Sequence, residues 1–278
     1  MLLQTRINNT TYTVDLSSPR SIAIALDFDG QQPNHFGSPI ASSAPLKIGN
    51  FIGDTLQGSS CNCEQITLVP HCVGTHTESI GHVLNSKNSL IDCLDDQLKA
   101  ATLISVSPNS GIQSAEHYQP ALTDMDQIIT QKDLHQKLGT ISQNKNNEFL
   151  HSLIIRTLPN VEDKRFLKYG TEYQPPFFSN DAMEFIFALG VEHLLVDLPS
   201  VDRMYDEGLL SNHRIFWNIE PEGQTEKNHY HQHKTITEMV FVPQQIKDGH
   251  YLLDIQHPRW KTDAIPSNPI LYPLTEIN

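Results

Sequence analysis

Residues 179–197 constrain the fold more than any other stretch of this sequence. Ser179-Asn-Asp-Ala-Met-Glu-Phe-Ile-Phe-Ala-Leu-Gly190 opens on residues that cap helices and carries acids in its first turn. It closes on a glycine that can take a left-handed conformation. The next residues, 191–197, form a short apolar run of strand length. A helix leading directly into a buried strand is a unit of an α/β domain. Strand-like runs also occur at 21–26, 65–69, 101–106, 152–156, 193–197 (within the unit above), 237–242 and 251–255. A second helix is expected over residues 123–138. Polar stretches at 142–148 and 221–234 read as loops or insertions, because strand-like runs continue on both sides of each. The chain is read as a single domain, residues 1–278.

Composition matters mainly for what it excludes. The chain has 19 basic and 32 acidic residues and a net charge of −13. Nucleic acid and anionic membranes both require a dense Lys/Arg surface, so neither is expected as a partner. No run approaches the roughly 18 apolar residues of a membrane span, and the first residues carry no apolar stretch of signal-peptide length. Four cysteines, Cys61, Cys63, Cys72 and Cys93, are too few and badly spaced for a disulfide framework. A cytoplasmic, reduced setting is therefore expected. Fourteen histidines favour metal or acid/base chemistry without locating it.

The location comes from His71-Cys-Val-Gly-Thr-His76-Thr-Glu78-Ser-Ile-Gly-His82. In an extended segment residues two apart share a face, so His76 and Glu78 can point together at one ion. Imidazole with carboxylate suits Zn²⁺, Mn²⁺ or Fe²⁺. His82, four residues past Glu78, can stand beside such an ion as an acid/base. Histidines on a glycine-containing surface loop would give the same spacing, so spacing alone leaves both possibilities open.

This segment resembles the signature of the cyclase-like metal-dependent hydrolases, the family of bacterial kynurenine formamidases. That signature reads His-x-Gly-Thr-His-x-Asp-x-Pro-x-His, and Gly74-Thr75-His76-x-Glu78-x-Ile80-x-His82 follows it with two substitutions. Further blocks are similar and fall in the family's order: Asp15-Leu-Ser17, Leu153-Ile-Ile-Arg-Thr157, Gly190–Asp202, Asn212-His-Arg214 and Ser267-Asn-Pro-Ile270. The resemblance implies an α/β domain with a mixed, partly barrel-like β core and outer helices, and a homodimer or tetramer. It implies one or two divalent metal ions, zinc or manganese, held by His76, Glu78, His213 and a downstream glutamate, with His82 as acid/base. That glutamate is placed at Glu238, across an insertion near 218–234, with Glu226 as the nearer alternative. The implied activity is hydrolysis of a small amide, with an N-formyl aryl amine leading. Another substrate (cyclic amide, lactone), a dehydration or isomerisation, or a non-catalytic binding role are the alternatives.

The departures from the pattern carry their own expectations. Glu78 replaces an aspartate, and Ile80 replaces a proline, with Gly81 expected to loosen the turn that aims His82. The first ligand is His71, one residue further from His76 than in the family, or Cys72 at the family's spacing. A bulge near Gly74 would bring His71 to the site. Asp202 can support a ligand from behind or brace a turn. Asn34-His35-Phe36 and Asp27–Gly30 can line a substrate pocket or form turns. The alternating His229, His231 and His233 read as a solvated loop or a lid. Trp217 and Trp260 read as core or interface residues.

Overall fold

The computed structural model describes residues 1–277 except 85–87, 96, 140–146 and 221–230. Glu226 and His229 therefore lie outside the described residues. The fold is α/β, with one mixed sheet of eleven strands. Ten of them are named here in chain order: β1 (Leu2–Ile7), β2 (Thr10–Asp15), β3 (His76–Ser79), β4 (Lys99–Val106) and β5 (Ser152–Thr157). They continue with β6 (His193–Val196), β7 (Thr235–Glu238), β8 (Gly249–Gln256), β9 (Ala264–Pro266) and β10 (Asn268–Glu276). Their order across the sheet is β1-β2-β10-β8-β4-β5-β6-β7-β3-β9, and Arg20–Ser21 pairs beside β10. Strands β4 to β7 are parallel neighbours, and β3 pairs antiparallel with β7.

The parallel strands are apolar without alternation because both of their faces are buried. Leu153, Ile155, Leu194 and Val196 belong to a core shared with Met183, Ile186, Phe216 and Trp217. The intervening Ile154 and Leu195 enter a second core with Leu253, Leu271 and Ile265. That second core gathers residues from both arms of the sheet, so the sheet curls around it. Among the described residues the strand order remains an open path and does not close into a barrel.

Four helices are described: α1 (Leu90–Cys93), α2 (Gln131–Leu138), α3 (Asn180–Ala188) and α4 (Ser211–Trp217). α3 matches its sequence signals closely. Ser179 Oγ accepts from the Ala182 N–H, and Gly190 takes φ 79°. The expected helix over 123–138 is instead two elements. Gln127–Ile129 is a strand pairing with Asn109–Ser110 and Phe177–Phe178, and α2 starts only after Thr130, whose hydroxyl accepts from the Asp133 N–H. The run at 237–242 is also shifted. β7 ends at Glu238, and Met239 turns the chain at φ 54°. The run at 65–69 forms a separate ribbon with Ser42–Pro45. Of residues 21–26, only Ser21 lies in a named strand. Among the described residues no helix is long and apolar enough to cross a membrane.

Candidate metal centre

The site forms where the C-terminal end of β7 meets β3, the end at which open parallel sheets gather ligands. Register places Glu238 directly across from His76 and Ile236 across from Glu78. His76 and Glu78 face one way. Thr77, between them, faces the other way and meets the Thr237 and Ser267 hydroxyls, each at 2.8 Å. His76 is fully buried, and its Nδ1 lies 3.1 Å from the Gly74 carbonyl. A carbonyl can only accept, so the proton sits on Nδ1 and the Nε2 lone pair is free. That Nε2 has no hydrogen-bond partner and lies 3.5 Å from Glu238 Oε2. Glu78 Oε2, also buried, is likewise unpartnered.

His213 arrives on α4. Its Nδ1 is 2.6 Å from Asp202 Oδ2 and its Nε2 is 3.0 Å from Glu78 Oε1. Its Nε2 also lies 3.7 Å from Glu238 Oε1. Asp202 additionally accepts from the backbone N–H groups of Asn212 and His213 and from the Tyr118 hydroxyl. One carboxylate therefore satisfies the start of α4 and holds the ring of its histidine. Glu238 is braced by the Val201 N–H, which donates to its Oε1 at 3.0 Å.

His71 reaches the same cluster. Its Nε2 is 3.7 Å from Glu78 Oε2, and its ring stacks on His82 at 4.5 Å. The route is a 3-10 turn at Pro70–Cys72, followed by Gly74 at φ 74° with its Cα against Leu26, in place of the expected strand bulge. Cys72 lines the cavity, but its sulfur belongs to neither donor group described below. Burial pushes its thiol upward, against the thiolate a metal requires. His82 Nδ1 is 3.9 Å from Glu78 Oε2 and 3.8 Å from Asp263 Oδ2. Its aim is fixed by Ser79, whose Oγ accepts from the Gly81 N–H. Gly81 does not loosen this turn: a Cβ there would sit 2.3 Å from the Asn88 carbonyl, so the glycine permits a tight contact.

Asp263, not anticipated from the sequence, stands 3.1 Å from His71 Nε2, though not aligned for a hydrogen bond. Only the fold brings it there, and no spacing near residue 78 could have pointed to it. The neighbouring His71, then His82, hold its carboxyl far below the ordinary range. For Glu78, burial acts to raise the pKa. The charge of His82, then the hydrogen bond and charge of His213 and the charge of His71, outweigh it and pull the value down to about 2. Burial acts to lower the pKa of His213, but Asp202 and Glu78 raise it well above the usual value. Four carboxylates converge here, and the raised histidine answers their demand for positive charge.

A divalent cation would answer the same demand, and the donors fit one. Two groups have their ligand atoms within 4.8 Å of one another: His71, Glu78 and His82, and His76, Glu78 and Glu238. They share Glu78. Imidazoles and carboxylates with unpartnered, buried lone pairs are the donor set that Zn²⁺ and Mn²⁺ take. A cavity of ≈ 330 Å³ opens onto the cluster, lined also by His35, Phe36 and Met204.

The other sequence candidates lie elsewhere. His233 pairs with Glu192 at 3.5 Å beside a different cavity, and His231 packs on Phe187. Neither covers the cluster. Asp27 and Asp29 line a third cavity. Trp217 is core, with its ring 5.7 Å from His213, whereas Trp260 is 46% exposed.

This fold belongs to a known class. A sequence model of the family described as Putative cyclase matches residues 14–203, and the chain belongs to that family. Its fold is similar to that of a solved structure described as a novel cyclase, at a TM-score of 0.60 and 12% identity over 93% of this chain and 89% of that one. It is also similar to a predicted metal-dependent hydrolase from Bacillus stearothermophilus, at TM-score 0.55 and 12% identity over 92% and 98% of the two chains. An isatin hydrolase bound to the product analogue thioisatinate matches at TM-score 0.55 and 12% identity over 93% of each chain. Likenesses at this identity establish the fold and leave the substrate open. Among curated proteins none matches.

Proposed function

We propose that this protein is a metal-dependent hydrolase of small amides. The observation that carries the proposal is the pair of buried, unpartnered donors, His76 Nε2 and Glu78 Oε2, beside Glu238; Glu78 and Glu238 line the floor of a small cavity. Leaving such groups unpaired is costly, and a cation of the kind named above would satisfy both. His76, Glu78 and Glu238, with His213 and His71 beside them, would hold it. When bound, a divalent cation supplies Lewis acidity and an activated water at neutral pH.

The chain's own residues do the rest. Glu78, reaching both donor groups, would hold one ion or bridge two. Asp202 keeps His213 oriented. His82, half-buried and next to Glu78 and Asp263, is placed to give a proton to the departing nitrogen. Burial of the floor excludes bulk water from the reacting carbonyl. An N-formyl aryl amine is the leading substrate. A cyclic amide is the second, favoured by the likeness to an isatin hydrolase.

The test is turnover of a panel of N-formyl aryl amines and isatin by protein loaded with Zn²⁺ or Mn²⁺, before and after chelation. Hydrolysis that chelator abolishes is expected. Turnover of none of them, or His76→Ala protein that retains its full metal content, would sink the proposal.

A further inference from the structure

His35 belongs to none of the groups just described, yet it lines the same cavity as His71, Glu78, His82, His213 and Glu238. It is 3% exposed, and neither of its ring nitrogens has a hydrogen-bond partner. Buried polar side chains are nearly always paired, so two unpaired nitrogens on one ring call for an explanation. A loose ring is not the explanation. The His35 N–H donates to the Cys72 carbonyl at 2.9 Å, and the Asn34 side chain donates to the Ser38 carbonyl. The imidazole packs 3.9 Å from the Phe36 ring and 6.3 Å from that of Tyr169.

Nor is His35 among the candidate metal donors: both groups within ligand distance omit it. Burial is the main cause that pushes its pKa down to about 4, so the ring is uncharged at neutral pH. A neutral imidazole offers one donor and one acceptor. Beside it, Phe36 is a non-glycine residue at φ 59° and is 55% exposed at the cavity wall, in edge contact with Tyr205 at 6.1 Å. An aromatic ring held in a sparsely populated backbone conformation at a cavity is a feature of ligand sites.

We propose that His35 is a specificity-determining residue: its ring hydrogen-bonds a second, uncharged polar group of the substrate while the scissile amide sits at the Glu78 cluster. The substrate class is thereby narrowed to small amides that carry a further neutral group, such as a ketone, on an aromatic or similarly flat body resting on Phe36. This deepens the hydrolase proposal and rests on it for the identity of the cavity.

The test compares 2-formamidoacetophenone with 2-ethylformanilide, which differ by a ketone against a methylene, on metal-loaded full-length protein. His35→Phe keeps a ring and removes both nitrogens, whereas His35→Asn keeps a donor and an acceptor. Expected for His35→Phe is a loss of about 10- to 100-fold in kcat/KM on the ketone substrate, carried mainly by KM. The ethyl compound should be nearly unaffected and metal content unchanged, and His35→Asn should recover part of the loss. Equal losses on both compounds, or no loss on either, would overturn the proposal. Should His35→Phe fail to fold, the wild type and His35→Asn still decide: a wild type with no preference for the ketone overturns it, and a preference preserved in His35→Asn supports it. If neither compound is hydrolysed, the hydrolase proposal is what fails. Calorimetric Kd values for the same pair then report on His35 alone, and equal affinities would dispose of it.

Discussion

Two histidines lie buried near opposite ends of the central parallel strands, and their surroundings push their pKa values in opposite directions. His193 opens β6 and is 5% exposed; His213, beyond the other end, is 2% exposed. His193 Nδ1 meets the Thr235 hydroxyl at 2.9 Å. Burial, then the charge of Lys99, lower its pKa to about 3. His213 lies between two carboxylates and is raised. Equal burial with opposite outcome means that the partner, and not the depth, decides the state of a buried imidazole. One end of the sheet stores a neutral packing residue, and the other concentrates charge.

The comparison breaks most forcefully at Glu78. Glu78→Gln removes the carboxylate common to both donor groups, so metal content measured by elemental analysis should fall to background and turnover with it. Wild-type metal content would remove Glu78 from the centre. His82→Ala comes next, with turnover down about 100- to 10,000-fold and metal retained. Metal loss matching that of His76→Ala would instead make His82 a ligand. Asp202→Asn should weaken metal affinity about 10- to 100-fold, read by competition with a chelator, because His213 loses the partner that orients it.

The effect furthest from the metal centre belongs to His193 and is read in stability. Its native pKa lies below its unfolded value, so in acid the unfolded chain takes up a proton that the native chain refuses. Its contribution to stability is complete above about pH 6.5 and declines as pH falls toward about 3, by at most about 1.4 kcal/mol per pH unit. Denaturant titrations from pH 7 to pH 4 should show a shallower decline for His193→Gln than for wild type. Parallel curves would mean that His193 is not neutral in the native state.

Local signals were legible wherever one short segment decided the outcome. The cap at Ser179, the closing Gly190 and the apolar β6 needed no distant partner. His76 and Glu78 could be paired by the two-residue period alone. The sequence misled where a local pattern competed with pairing. Residues 127–129 look helical in continuity with α2, but Ile128 and Ile129 pair with Phe177 and Phe178, and Thr130 restarts the chain as a helix. Gly81 looked like freedom and is a close approach. Asp263 and the unpaired nitrogens of His35 depend on long-range contacts, which no window of sequence contains. The turn at residues 70–72 that carries His71 to the cluster was not legible, because a strand reading hides it.

The antiparallel pairing of β3 with β7 sets His76 against Glu238 and Ile236 against Glu78. A slip of one residue would turn every one of these donors to the opposite face of the sheet. The donors also span residues 71 to 238, and β9, which pairs with β3, follows at 264–266, so a growing polypeptide cannot assemble the pocket until nearly all of it has been synthesised. A cation is thus a reward for completed folding and cannot serve as its seed, and truncation from the C-terminal side should abolish binding before it abolishes the first strands.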